Sequence, residues 1–122
     1  MARELNITPE KLAGEAFVRK SQGPDLASVV RRIRQCRDDL SARGIVHVRV
    51  FGSVARGEAR ADSDIDLVVD PGPAADFSLI DLAETEALLE RALSHRVDVL
   101  TAKTLERASF AKAAYDEAVY VF

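Results

Sequence analysis

Asp64 and Asp66 stand two residues apart in the run Ser63-Asp64-Ile65-Asp66-Leu67-Val68-Val69, two carboxylates set into an otherwise apolar stretch. On an extended strand, side chains two apart leave from the same face, their backbones roughly 6.5–7 Å apart at about 3.3 Å rise per residue. Ile65, Leu67 and Val69 would then face a core. Two ionised carboxylates so placed repel each other and lose hydration, a cost that a bound cation relieves. From that separation they can lean onto a pair of ions about 3.5–4 Å apart, the arrangement that clamps the attacking and leaving oxygens of a phosphoryl displacement. All-oxygen ligation favours Mg²⁺, with Mn²⁺ as an alternative, over Zn²⁺. Asp-x-Asp alone also describes a solvated strand end, so the surroundings must decide.

Upstream, Val46-His47-Val48-Arg49-Val50-Phe51 alternates like a half-buried strand and runs directly into Gly52-Ser53, where a short helix can start. A helix start offers unpaired N–H groups and the positive end of its dipole to an anionic phosphate. Gly52 would allow close backbone approach and Ser53 would add a hydroxyl donor. Read alone, Gly-Ser is only a turn signal. Arg56 reads equally as a contact to a triphosphate or partner and as a solvent-facing cation. A third carboxylate is expected to complete the metal ligation or to help an attacking hydroxyl lose its proton. Asp98, in the β-like run His95-Arg96-Val97-Asp98-Val99-Leu100, is the candidate. The competing reading makes Asp98 a strand-edge residue paired with Arg96, and His95 reads as a strand-end surface residue.

In order, Gly52-Ser53-Val54-Ala55-Arg56-Gly57, Ser63-Asp64-Ile65-Asp66-Leu67 and Val97-Asp98-Val99 resemble the DNA polymerase β nucleotidyltransferase superfamily, and most of all its minimal nucleotidyltransferases. The likeness runs from about Val46 to the C-terminus. It implies an α/β (α+β) core with a small mixed sheet flanked by helices. Asp64, Asp66 and Asp98 would be the catalytic metal ligands, and Gly52 and Ser53, with Arg56 and Ser63, the nucleotide contacts. The resemblance also implies ATP as substrate and a HEPN-domain toxin as partner, the antitoxin transferring AMP to a toxin tyrosine. Two alternatives stay open: an antitoxin that masks its toxin by binding alone, and a stand-alone adenylyltransferase for a small hydroxyl compound such as an aminoglycoside. Larger members of the superfamily add a substrate-binding domain, whereas only two helices precede the core here.

The elements that must position these groups follow from periodicity. Thr8-Pro9 resembles an N-cap with proline at the first helical position, with Leu12, Ala13, Ala16 and Phe17 at helical spacing. This first helix vaguely resembles one half of a helix-turn-helix, a docking mode that requires two helices joined by a short turn with exposed base-reading side chains. Ser21-Gln22-Gly23-Pro24 should break it, and a second helix runs from Asp25 to about Gly44 with Leu26, Val29, Val30, Ile33, Cys36 and Leu40 as its apolar stripe. Arg31, Arg32, Arg34 and Arg37 fall on the other side, as a solvated face or as a surface for an acidic partner or RNA. After the loop Asp70-Pro71-Gly72-Pro73, a crossover helix over 78–94, with Leu79, Leu82, Leu89 and Leu93 covering the sheet, joins the Asp64/Asp66 strand to the Asp98 strand. A last helix, Leu105 to Asp116, precedes a short strand or tail at Ala118–Phe122.

The 122 residues, 48% of them hydrophobic, suffice for one domain, divided into an N-terminal helical extension (1–44) and a catalytic core (45–122). Cys36 is the single cysteine, so no internal disulfide forms, and a reducing cytoplasmic setting is expected. No stretch is long enough to span a bilayer and the first residues do not open a signal peptide, so no membrane role is expected. The net charge of −3 argues against strong nonspecific nucleic-acid binding. Oligomerisation is left open. The Gly-Lys-Ser/Thr of a P-loop, spaced dinucleotide glycines, zinc-type Cys/His spacing and a Gly-x-Ser-x-Gly turn are all absent from the sequence.

Overall fold

Four short stretches rich in β-branched residues make the sheet in the computed structural model, which describes residues 23–73, 75–107 and 111–122. The helix expected after Thr8-Pro9 lies outside the described residues. The strands are β1 (Ile45–Phe51), β2 (Ile65–Pro71), β3 (Val97–Thr101) and β4 (Val119–Tyr120), in spatial order β3-β2-β1-β4. The sheet is mixed: β1 runs antiparallel to β2 and to β4, while β2 and β3 are parallel. A parallel neighbour requires a crossover, and helix α4 (Leu79–Leu93) supplies it between β2 and β3. Its start is fixed by a capping box, in which the Ser78 hydroxyl accepts from the Asp81 N–H and the Asp81 carboxylate accepts from the Ser78 N–H. Those bonds from Ser78 hold the Asp81 carboxyl below its ordinary value.

The remaining helices are α1 (Leu26–Gln35), α2 (Arg37–Ala42), α3 (Gly52–Arg56), α5 (Ala102–Glu106) and α6 (Ala111–Glu117). Asp25 caps α1 by accepting from the Ser28 N–H at 2.9 Å. The single helix expected over 25–44 is instead two, because Cys36 leaves helical geometry (φ −99°, ψ 11°) and serves as end of α1 and start of α2. The apolar stripe is preserved across the joint, with Val29, Ile33 and Leu40 buried. The expected last helix is likewise divided: Leu105 belongs to α5, which ends at the C-cap Arg107, and Ala111–Glu117 form α6. Leu79 does not cover the sheet. It sits in the first turn of α4, ahead of the turns that reach the sheet, and is 84% exposed, whereas Leu89 and Leu93 are buried.

Two apolar clusters lie on opposite faces of the sheet. The larger joins Val29, Ile33 and Leu40 to Val48, Val50, Ile65, Leu67, Val69, Leu89, Leu93, Val97 and Val99. The smaller is built from Phe51, Val68, Leu105 and Ala114, under α5 and α6. This second layer explains why β1 is buried on both faces beyond His47, Arg49 included. The Arg49 guanidinium lies over the rings of Tyr115 at 4.9 Å and Tyr120 at 5.4 Å, a cation–π sandwich that ties α6 and β4 to the sheet. Its Nε has no hydrogen-bond partner among the described residues. No helix among the described residues is long and apolar enough to cross a membrane.

Candidate active site

The strand register decides which carboxylates meet. Along the parallel β2/β3 ladder, Asp66 stands opposite Asp98, with Ile65 opposite Val97 and Leu67 opposite Val99. Facing residues on neighbouring strands are about 4.8 Å apart and share a face, so Asp66 and Asp98 project side by side while Ile65 and Leu67 enter the main core. That face is covered farther along β2, where Val68 is buried under the smaller cluster, and opens at Asp66. Asp98 is exposed. Asp64 does not lie on the strand as expected: β2 begins at Ile65, and Asp64 precedes it in the approach loop. Its Oδ1 accepts from Arg96 at 2.9 Å, so Arg96 pairs with Asp64 rather than with Asp98.

Crowding of like charge shows in Asp66. Its carboxyl is pushed up to about 6, first by burial and then by the neighbouring Asp98 and Asp64 charges, with Glu117 adding and Arg56 opposing. Among the described residues no three carboxylates, imidazoles or thiols close around one point. The donor chemistry nevertheless fits a hard divalent cation: every candidate ligand is a carboxylate oxygen, and the partly buried Asp66, crowded by Asp98 and Asp64, would be relieved by positive charge.

Gly52 is the tightest joint of the site. It has φ +71°, and a Cβ placed there would be driven into the Asp66 carboxylate. Only glycine meets both demands, left-handed backbone and close approach. From Gly52 the chain turns into α3, closed at its far end by Gly57 at φ 75°. Ser53, half-buried, follows in the first turn. Phe51, at the N-cap position of α3, offers no side-chain acceptor. The acceptor comes instead from the other end of the chain: Glu117 Oε1 accepts the Gly52 N–H at 3.0 Å.

That contact follows from register. Val50 pairs with antiparallel Val119, so two steps on, Gly52 comes opposite Glu117. Arg56 also binds Glu117 Oε1, through Nη1 at 2.9 Å, while its Nε donates to Glu58 at 2.9 Å. These carboxylates hold the guanidinium charged, raising it from its ordinary value, the Glu58 hydrogen bond first. Arg56 is therefore engaged within the chain. Ser63 is engaged as well, its hydroxyl accepting from the Arg60 N–H at 2.8 Å in the loop before β2. The ring of His95, half-buried rather than merely at the surface, contacts the Ser63 carbonyl, and the Ile65 N–H donates to the Arg96 carbonyl at 3.0 Å. His95 and Arg96 thus hold the approach loop from the β3 side. Neither that role nor Glu117 is apparent from local spacing, because both depend on which strands pair.

A mixed sheet carrying a Gly-Ser turn after one strand and in-register aspartates on the next two, flanked by helices, is the polymerase β-like nucleotidyltransferase fold. A solved structure of a minimal nucleotidyltransferase is 37% identical, with a TM-score of 0.65 and coverage of 79% of this chain and 95% of that one. The chain belongs to the nucleotidyltransferase domain family, whose sequence profile matches residues 30–121. The protein adenylyltransferase MntA of Thermococcus cleftensis is 41% identical over 78 residues, 64% of this chain and 76% of that protein. At the level of fold alone, the chain also matches one in the complex of tri-AMPylated Shewanella oneidensis HEPN toxin with MNT antitoxin, at 20% identity, TM-score 0.54, and coverage of 80% and 71%. The resemblance to minimal nucleotidyltransferases is thereby borne out.

Proposed function

We propose that this nucleotidyltransferase is the antitoxin of a toxin–antitoxin pair and transfers AMP from ATP to a tyrosine hydroxyl of a HEPN-domain toxin. The observation that carries the reading is the register of Asp66 against Asp98, with Gly52 packed on Asp66. It sets the carboxylates and a backbone amide donor at one open end of the sheet. Likeness to a protein adenylyltransferase at 41% identity supports AMP as the transferred group, and the shared fold with the antitoxin of an AMPylated HEPN toxin supports the partner.

In this reading the Gly52 N–H and the Ser53 hydroxyl donate to phosphate oxygens and hold the triphosphate in line. The acceptor oxygen forms a bond to the α-phosphorus as the α-phosphorus–oxygen bond to pyrophosphate breaks, and the hydroxyl proton passes to the Asp98 carboxylate. Asp64, Asp66 and Asp98 would hold Mg²⁺, whose chemistry when bound is to offset charge on the triphosphate and on the departing pyrophosphate. Asp66 can stand against the Gly52 turn because glycine carries no Cβ where its carboxylate lies.

Co-expression with a HEPN-domain toxin tests the proposal. Growth restored by the wild-type protein and lost with Asp64→Ala plus Asp66→Ala supports catalysis. Growth restored equally by the double variant would identify an antitoxin that acts by masking.

A further inference from the structure

We propose that Glu117 is a built-in competitor for the nucleotide, occupying with its carboxylate the donors that a phosphate must take. The inference rests on Gly52 being a phosphate contact. Glu117 Oε1 gathers two donors at once, the Gly52 amide at 3.0 Å and the Arg56 guanidinium at 2.9 Å. Both are donors that suit an anionic oxygen. The carboxylate borders an open groove of about 290 Å³ lined by Phe51, Gly52, Arg56, Ala113, Ala114 and Glu117. Space for a ligand and the donors for its anionic group are therefore already together, and the donors are satisfied from within.

This arrangement has two consequences. Without nucleotide, Glu117 keeps Gly52 and Arg56 in place, because Phe51 offers no side-chain cap. When a triphosphate arrives, its phosphate must displace a charge-assisted contact before gaining its own. Affinity in the wild-type chain is set by the difference between two anions for the same donors.

Calorimetric titration of the full chain with the non-hydrolysable analogue AMP-PNP and Mg²⁺ tests this, using wild type, Glu117→Gln and Glu117→Asp. Glutamine removes the charge and aspartate shortens the reach. Both variants should bind about tenfold more tightly, the scale of one charge-assisted contact no longer broken on binding. Equal or weaker binding in both overturns the inference while leaving the phosphate role of Gly52 standing. Binding absent from wild type and both variants overturns that role, and the inference with it. If the substitutions unfold the chain, the wild-type protein still decides: the Gly52 amide and Glu117 carboxyl resonances must move together as AMP-PNP is added. A Glu117 resonance that stays fixed overturns the inference.

Discussion

An alanine at Gly52 would carry its Cβ into the Asp66 carboxylate and sit at φ +71°. Its cost should be about 2 kcal/mol or more, from left-handed strain and forced displacement together. Thermal melts should show the loss even without metal, and calorimetry should show nucleotide binding abolished. Asp66 gives the opposite stability effect. Its folded-state carboxyl, at about 6, lies above the ordinary 3.8, so ionisation opposes folding. The penalty is fully present above pH 6, fades as pH falls through that value, and is gone below the unfolded value. Asp66→Asn should therefore raise metal-free stability near pH 7 by about 1 kcal/mol, allowing for solvent screening of a half-exposed group. The gap between the melting curves of variant and wild type in EDTA should close toward pH 5, and transferase activity should vanish. A gap independent of pH would remove like-charge crowding as its cause. Adding Mg²⁺ should raise the melting temperature of wild type and leave Asp66→Asn unchanged.

At the scale of elements, period and punctuation make most of the sheet legible. Val46–Phe51 and Ile65–Val69 alternate or run apolar, and the crossover helix is bounded by Ser78 and the turn at Ser94. The break at Cys36 is not legible, since it involves neither glycine nor proline and the apolar stripe continues through it. Arg49 reads from alternation as an outward strand residue. It is 8% exposed because α5 and α6 cover the second face, a fact of tertiary packing. The three aspartates are legible as types at a spacing, whereas Asp64's place ahead of the strand and Glu117's contact with Gly52 depend on ladder ends and on register. Arg49→Ala should destabilise the chain by about 2 kcal/mol in urea unfolding, through the loss of its stacked stem and guanidinium between Tyr115 and Tyr120. Ser78→Ala should cost about 1 kcal/mol by removing one half of the α4 capping box. AMP-PNP affinity should be unchanged in Ser78→Ala, since the box lies away from the aspartates.

For the whole molecule, α1 and α2 bury Val29, Ile33 and Leu40 in the same core as β1, β2 and β3. They are structural supports of the sheet that carries the site. That site opens at one end of the sheet, with Asp98 exposed, so an acceptor can approach it from solvent. Positioning and electrostatics are what the chain offers, and an acceptor held on a partner protein would complete them. The most direct measurement is intact mass spectrometry of a HEPN-domain toxin after incubation with this chain, Mg²⁺ and each nucleoside triphosphate in turn. The account predicts gains of whole AMP units with ATP, absent when Asp64→Ala plus Asp66→Ala replaces wild type. An unchanged toxin mass, with both proteins folded and bound to one another, would contradict it.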